Sequence, residues 1–215
     1  MNTQNSVLNV TVSSYSNYRS SSPQKNVSLF AFLTDTKHAD AIQNLRQKRD
    51  KGERDAIKAK LPCITPSGVF SKRSQAGLIA HSGFIQFDID AKDNPTYFEG
   101  VETLEASLSL CNEIKAELSK LPYVAYIALS ASGRGLWGLI PIAEPSEHKA
   151  HFAAIAEDFT EKGIKIDPAP SNVASLRGYS YDLDPYFNHS PEKYSRKVST
   201  SSKGHKAKVN FLGED

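Results

Sequence analysis

Long apolar runs are missing from this chain of 215 residues. The longest, Tyr123–Leu129, falls far short of the roughly 20 residues that a membrane-spanning helix needs, so no span is expected. Cysteine is scarce: Cys63 and Cys111 cannot supply a disulfide framework, and without a CxxC pair no structural zinc site is expected. The opening residues, MNTQNSVLNVTVSSYS, lack both a basic segment and an apolar one. Export by a signal peptide is therefore not expected, and a reducing, cytoplasmic compartment is. No charge dominates, with 26 Lys and Arg against 24 Asp and Glu, which argues against a general nucleic-acid coat but leaves room for local basic surfaces. Several catalytic signatures are also absent. Without GxxxxGKS/T or GxSxG there is no P-loop and no α/β-hydrolase nucleophile elbow. Without HxH there is no rolling-circle nickase centre, and His148 and His151 have no third partner for a metal site.

What remains is a chain long enough for one domain, with a hydrophobic fraction of 39% and a mean hydropathy of −0.43 that suit a globular core with polar extensions. Residues 1–25, rich in Ser, Asn and Thr, are expected to be flexible or an edge strand. Residues 26–188 form the domain. Residues 189–215 are expected to be a disordered basic tail or linker, because Lys193–Lys208 carry six Lys or Arg and no acid. Within the domain, VSLFAFL (Val27–Leu33) is expected as a strand, and His38–Lys60 as a helical stretch broken at Lys51-Gly52. Thr65-Pro66-Ser67-Gly68 marks a turn.

From Gly83 the pattern sharpens. Phe84–Asp90 alternates, with Ile85, Phe87 and Ile89 on one side and Gln86, Asp88 and Asp90 on the other. Val101–Leu121 has helical spacing, Tyr123–Ser130 and Leu136–Ile142 form a hairpin, and a helix capped by Ser146 runs to about Gly163. Ile164–Asp167 and Gly178–Asp182 are expected as the last strands. The order β-α-β-β-α-β predicts an α+β fold of the RRM-like or ferredoxin-like kind: an antiparallel sheet with helices on one face, the other face open, and an N-terminal strand-helix extension.

On such a sheet Asp88 and Asp90 project from one face, and Asp167 joins them if Ile164 and Ile166 turn to the core. Converging carboxylates repel one another unless a cation lies between them, and hard oxygen ligands suit Mg²⁺ or Mn²⁺. Two ions about 3.5–4 Å apart are the requirement of two-metal phosphoryl transfer. The turn Ser130-Ala131-Ser132-Gly133-Arg134-Gly135 offers hydroxyls, backbone N–H groups and a guanidinium suited to phosphate, or it is an ordinary glycine-rich hairpin. Arg177 can reach a triphosphate or pair with one of the acids; the residues leave both roles open.

Together, GFIQFDID, ALSASGRGLWGLIPI and IKIDPAPSNVASLRGYSYD resemble the archaeo-eukaryotic primase, or primase-polymerase, superfamily. The VirE N-terminal-type branch of Bacteroides-like mobile elements and phages is the nearest likeness, and KAKLPCITPSGVF and HSGF share it. The likeness spans about Val27 to Pro185. It implies an RRM-like catalytic core whose Asp88, Asp90 and Asp167 hold divalent metal. It also implies a nucleotide-binding element over Ser130, Ser132, Gly133, Arg134, Gly135 and Trp137, and a phosphate-contacting Arg177. Relatives carry a histidine where this chain has Trp137, which cannot bring charge to a triphosphate.

The activity so implied is template-directed nucleotidyl transfer, making or extending a primer. Its partners would be single-stranded DNA template, nucleoside triphosphates and a helicase. The alternative is a primase-like module without turnover that binds single strands or a replication partner, with Tyr126, Trp137, Tyr179 and Tyr181 as stacking surfaces. In a third reading the aspartates are scattered over the surface and do nothing together.

Overall fold

A computed structural model describes residues 6–198. It is a mixed α+β structure of antiparallel sheets with helices packed against them. Strand β1 (Thr11–Tyr15) pairs with β2 (Lys25–Ser28). The run VSLFAFL does not form one strand. The Ser28 hydroxyl accepts from the Ala31 N–H at 3.3 Å and starts helix α1 (Leu29–Thr34), so a local cap overrides the β-preference of the run. Helices α2 (Ala39–Gln47) and α3 (Lys51–Lys58) follow. The break lies ahead of Lys51-Gly52: Asp50 accepts from the Glu53 N–H at 2.9 Å and caps α3, leaving Gly52 in the first turn. Then come β3 (Cys63–Thr65) and a hairpin of β4 (Gly68–Phe70) with β5 (Leu78–His81). Because β1 lies between β2 and β3, it is an interior strand, neither free nor at an edge.

The next elements are β6 (Phe84–Asp90), a short α4 (Pro95–Phe98) and α5 (Leu104–Leu118). Strands β7 (Tyr126–Leu129) and β8 (Gly135–Pro141) and helix α6 (His148–Glu161) complete the sequence-predicted order up to its last strand. Ile85, Phe87 and Ile89 point into one core with Cys111, Ile114 and Leu118 of α5 and Phe152, Ile155 and Phe159 of α6. Ser146 is not the cap of α6; Pro145–Glu147 form a 3₁₀ turn and Glu147 stands at the cap without a side-chain bond. Two short strands are the last among the described residues. β9 (Arg177–Gly178) joins β3, and β10 (Tyr186–Phe187) joins β7, giving sheets β2-β1-β3-β9 and β10-β7-β8-β6.

Three expectations are corrected here. First, Ile164–Asp167 forms no strand. It meets β6 through the Asp167 N–H, which donates to the Asp88 carbonyl at 2.9 Å. The Asn94 carboxamide, bonded to Lys165 N and O at 2.7 and 2.9 Å and to the Asp90 carbonyl at 2.9 Å, takes the place of further ladder bonds. Gly178–Asp182 likewise contributes only its first residue to a strand, and in the other sheet.

Second, the far face of the β6 sheet is not open. Phe84, Tyr126, Ala128, Trp137 and Leu139 on that face are covered by Leu8, Val12, Leu29 and Ile64. Apart from Gln86, Asp88 and Asp90 of β6 the face is apolar, so the N-terminal sheet buries the apolar part and the acids stay at its rim.

Third, 189–198 is no free tail. Tyr194 is buried and donates to Asp158 at 2.5 Å, Arg196 pairs with Asp158 at 2.6 Å, and the Val198 N–H donates to the Ala150 carbonyl at 3.1 Å. The acids of α6 neutralise the basic segment locally. The rest of the expected tail, 199–215, lies outside the described residues, as do residues 1–5. Among the described residues no helix is long and apolar enough to cross a membrane.

Candidate metal centre and its cleft

The alternation of β6 puts Gln86, Asp88 and Asp90 on the face away from α5 and α6, and the Asp167 N–H bond to β6 brings the third acid alongside. Carboxylate oxygens of Asp88, Asp90 and Asp167 lie within 4.8 Å of one another. The scattered-acid reading is thereby excluded. Asp167 is held by its own turn, where its Oδ1 accepts from the Ala169 N–H at 2.9 Å.

Asp88 is the inner member. Its Oδ2 accepts from Arg177 Nη2 at 2.7 Å, while its Oδ1 is buried without a hydrogen-bond partner. Burial pushes its carboxyl above the usual range; Arg177 pulls it back, and Asp90 and Asp167 push it up again. A buried carboxylate with an orphaned oxygen, grouped with two more carboxylates, is what a divalent cation would satisfy, so the donor set fits Mg²⁺ or Mn²⁺. At the outer edge Lys92, 72% exposed, pairs with Asp90 at 3.3 Å and can swing away.

Of its two possible roles, Arg177 has the ion pair here, and more besides. Its Nε donates to Gln86 Oε1 at 3.0 Å, and the Gln86 amide donates to the Ser175 carbonyl at 3.0 Å. Beneath it lies Trp137, directly opposite Asp88 in the β6–β8 register. The Arg177 guanidinium sits 5.0 Å from the indole ring, and Trp137 Nε1 donates to Ser180 Oγ at 2.8 Å. At 1% exposure Trp137 is a floor, not a stacking surface. Tyr126 and Tyr179, at 3% and 1%, are buried as well, so the stacking platform of the alternative reading is not assembled. Trp137 and Tyr126 pack against the N-terminal sheet, and Tyr179 against Ile42 and Leu61, because that is where the area of large rings is removed from water.

A cleft of about 310 Å³ opens beside the acids, lined by Asp88, Asp90, Ser130, Ser132, Arg177 and Ser180, with Tyr18 and Lys58 also on its wall. Ser130 and Ser132 reach it; Gly133, Arg134 and Gly135 do not line it. The Gly133 N–H turns inward to the Ser130 carbonyl at 2.9 Å, and the Arg134 N–H faces Ser132 Oγ at 3.4 Å, so these amides are committed within the turn. Gly133 has φ +69°, and a Cβ there would press on Leu104, Leu108 and Arg46 at 3.1–3.2 Å.

Arg46 carries no sequence signal, yet it fixes the turn, donating to the carbonyls of Ala131, Ser130 and Tyr181 at 3.3, 3.1 and 2.6 Å. Tyr18 and Lys58 were equally silent in sequence. They come from segments that only the packing of the N-terminal sheet brings to the cleft.

The fold and site therefore define a mixed α+β domain with a three-carboxylate cluster, fit for a divalent cation, at the mouth of a polar cleft. A family model described as BT4734-like, N-terminal domain matches residues 56–187, more than half of the chain, and the chain belongs to that family. This agrees with the resemblance to Bacteroides-associated relatives of primase-polymerases. No curated protein and no solved structure matches the chain.

Proposed function

We infer that this domain is a metal-dependent nucleotidyl transferase of the primase-polymerase type, synthesising or extending a primer on a single-stranded template for a mobile element or phage. The observation that carries the reading is the Asp88–Asp90–Asp167 cluster with its orphaned Asp88 Oδ1, set beside a cleft that holds Arg177, Ser130, Ser132 and Ser180. On this reading the β6–α5–β7–β8–α6 unit is an RRM-like core, and the 164–167 segment beside β6 is the remnant of its last strand.

Asp88, Asp90 and Asp167 would hold Mg²⁺ or Mn²⁺, which supplies stabilisation of phosphate charge and lowers the pKa of the attacking hydroxyl. Phosphoryl transfer is otherwise a matter of positioning and charge. Arg177, steadied by Gln86, Asp88 and the Trp137 ring, turns its fork to the triphosphate. Ser130 and Ser132 donate from the opposite wall. Trp137 thus stands where relatives bring a histidine, and Arg177 lying over it supplies the positive charge. A helicase and the cell's cytoplasm complete the proposed setting.

The test is primer synthesis and extension on single-stranded template with NTPs or dNTPs and Mn²⁺ or Mg²⁺. The control is Asp88→Asn/Asp90→Asn, which keeps an acceptor for Arg177. Product that disappears in the folded control supports transfer. A folded wild type that makes no product in any combination moves the reading to a binding module.

A further inference from the structure

Arg73 is a cation without an anion. It stands in the loop between β4 and β5, half-buried, and its Nε is shielded from solvent with no hydrogen-bond partner. Among the described residues it forms no ion pair. Desolvating part of a guanidinium with nothing in return is unfavourable, and a partner that arrives with a ligand accounts for it.

The loop is built to keep Arg73 in place. The Ser71 N–H donates to the Gly77 carbonyl at 2.8 Å, the Gly77 N–H donates to Ser74 Oγ at 3.2 Å, and the Arg73 N–H donates to the Ser21 carbonyl at 2.8 Å. A Cβ on Gly77 would run into the Lys72 carbonyl, so the turn closes tightly only with glycine there.

Arg73 lines a second groove, of about 290 Å³, together with Asp88, Asp167, Asn172, Ser175 and Arg177. Strand β6 has β8 on one side and the 164–167 segment on the other. The Ser130–Ser132 cleft lies toward β8 and this groove toward the 164–167 segment, with Asp88 and Arg177 lining both. Two substrates that react at one acid cluster must reach it by separate approaches. One cleft carries hydroxyls suited to a triphosphate; the other carries an unpaired guanidinium beside Asp167.

We propose that the second groove seats a phosphate of the nucleic-acid strand that bears the acceptor hydroxyl, clasped by Arg73. The inference rests on the nucleotidyl-transfer reading and adds to it the place of the strand. An exposed phosphodiester supplies the acceptor oxygens that Arg73 lacks, and the Arg73 fork fixes how far the strand enters toward the acids.

The test measures two affinities in wild type, Arg73→Ala and Arg73→Lys: fluorescence anisotropy of a labelled single-stranded oligonucleotide over a salt series, and calorimetry of a nucleoside triphosphate with Mn²⁺. Arg73→Ala breaks no ion pair and no side-chain hydrogen bond among the described residues, so its melting temperature should stay close to the wild-type value. Its strand affinity should fall about tenfold, with a log K against log salt slope shallower by about 0.7, while nucleotide affinity is unchanged. Arg73→Lys should recover the slope and only part of the affinity. Strand affinity and slope unchanged in Arg73→Ala, with wild type binding both ligands, overturn this inference alone. A loss confined to the nucleotide overturns the strand assignment and gives the groove to the triphosphate. A wild type that binds neither ligand overturns the nucleotidyl-transfer reading, and this inference with it.

Discussion

Changing Asp167 to Asn should stabilise the metal-free protein and abolish its response to metal. Three carboxylates within 4.8 Å of one another repel. At that separation and an effective dielectric of about 20, one pair costs about 3.5 kcal/mol before compensation. Arg177 at 2.7 Å from Asp88 and Lys92 at 3.3 Å from Asp90 offset most of this, and water screens more, leaving a relief of about 1 kcal/mol on removing one charge. Asparagine keeps the Oδ1 that accepts from the Ala169 N–H, so the turn survives. In a chain of this size about 1 kcal/mol is about 2–4 °C of melting temperature, gained in EDTA. Wild type, at a cation concentration 100 times its dissociation constant, gains about 2.7 kcal/mol, or about 5–10 °C; the variant should gain almost none. Thermal melts in EDTA, Mg²⁺ and Mn²⁺ give both numbers. A variant that melts lower than wild type in EDTA, or keeps the full cation shift, refutes the cluster as a metal site.

Three other outcomes follow from the same geometry. The cation shift of wild type should fade as pH falls, starting above the ordinary carboxylate range. Burial raises the Asp88 carboxyl, so protons displace the cation earlier there; a shift that persists until the usual range refutes the assignment. Arg177→Ala should destabilise the protein by about 2–3 kcal/mol in denaturant titration, since it strands Asp88 and Gln86 together, and Asp88→Asn in the same chain should recover part of the loss. His81 accepts from the Gly83 N–H at 2.9 Å and faces His148 at 3.0 Å, and burial, with His148 second, holds its pKa down at about 4 from 6.5. The unfolded chain then binds more protons between those values, so stability should be lost as pH falls from about 6.5 to about 4; His81→Asn should flatten that slope in pH-dependent melts.

How far the sequence alone reaches is seen by comparing Asp88 with Trp137. The period-two alternation of Phe84–Asp90 is a local property, because successive side chains of a strand must point to opposite faces. It therefore determined that Ile85, Phe87 and Ile89 enter the core while Asp88 and Asp90 leave it. The apolar helix faces, the Thr65–Gly68 turn and the hairpin about Gly133 are local in the same sense, and the third acid was legible from the Ile164–Asp167 pattern. Local competition also explains the misplaced boundaries: a serine or aspartate hydroxyl or carboxylate bonding three residues ahead moved the ends of α1 and α3.

Tertiary structure alone decided what covers the second face. Nothing in Leu8, Val12 or Ile64 says which apolar surface each will meet, since hydrophobic burial is non-directional and those partners lie tens of residues away in sequence. That choice turned Trp137 and Tyr126 from surface rings into packing, and Ile42 and Leu61 did the same for Tyr179. It also laid Arg177 over the indole and brought Tyr18, Lys58 and Arg73 to the rim of the acids. The chemistry of the centre was written into a few neighbouring residues; its walls were set by which sheet packed on which, and only the folded chain makes that choice.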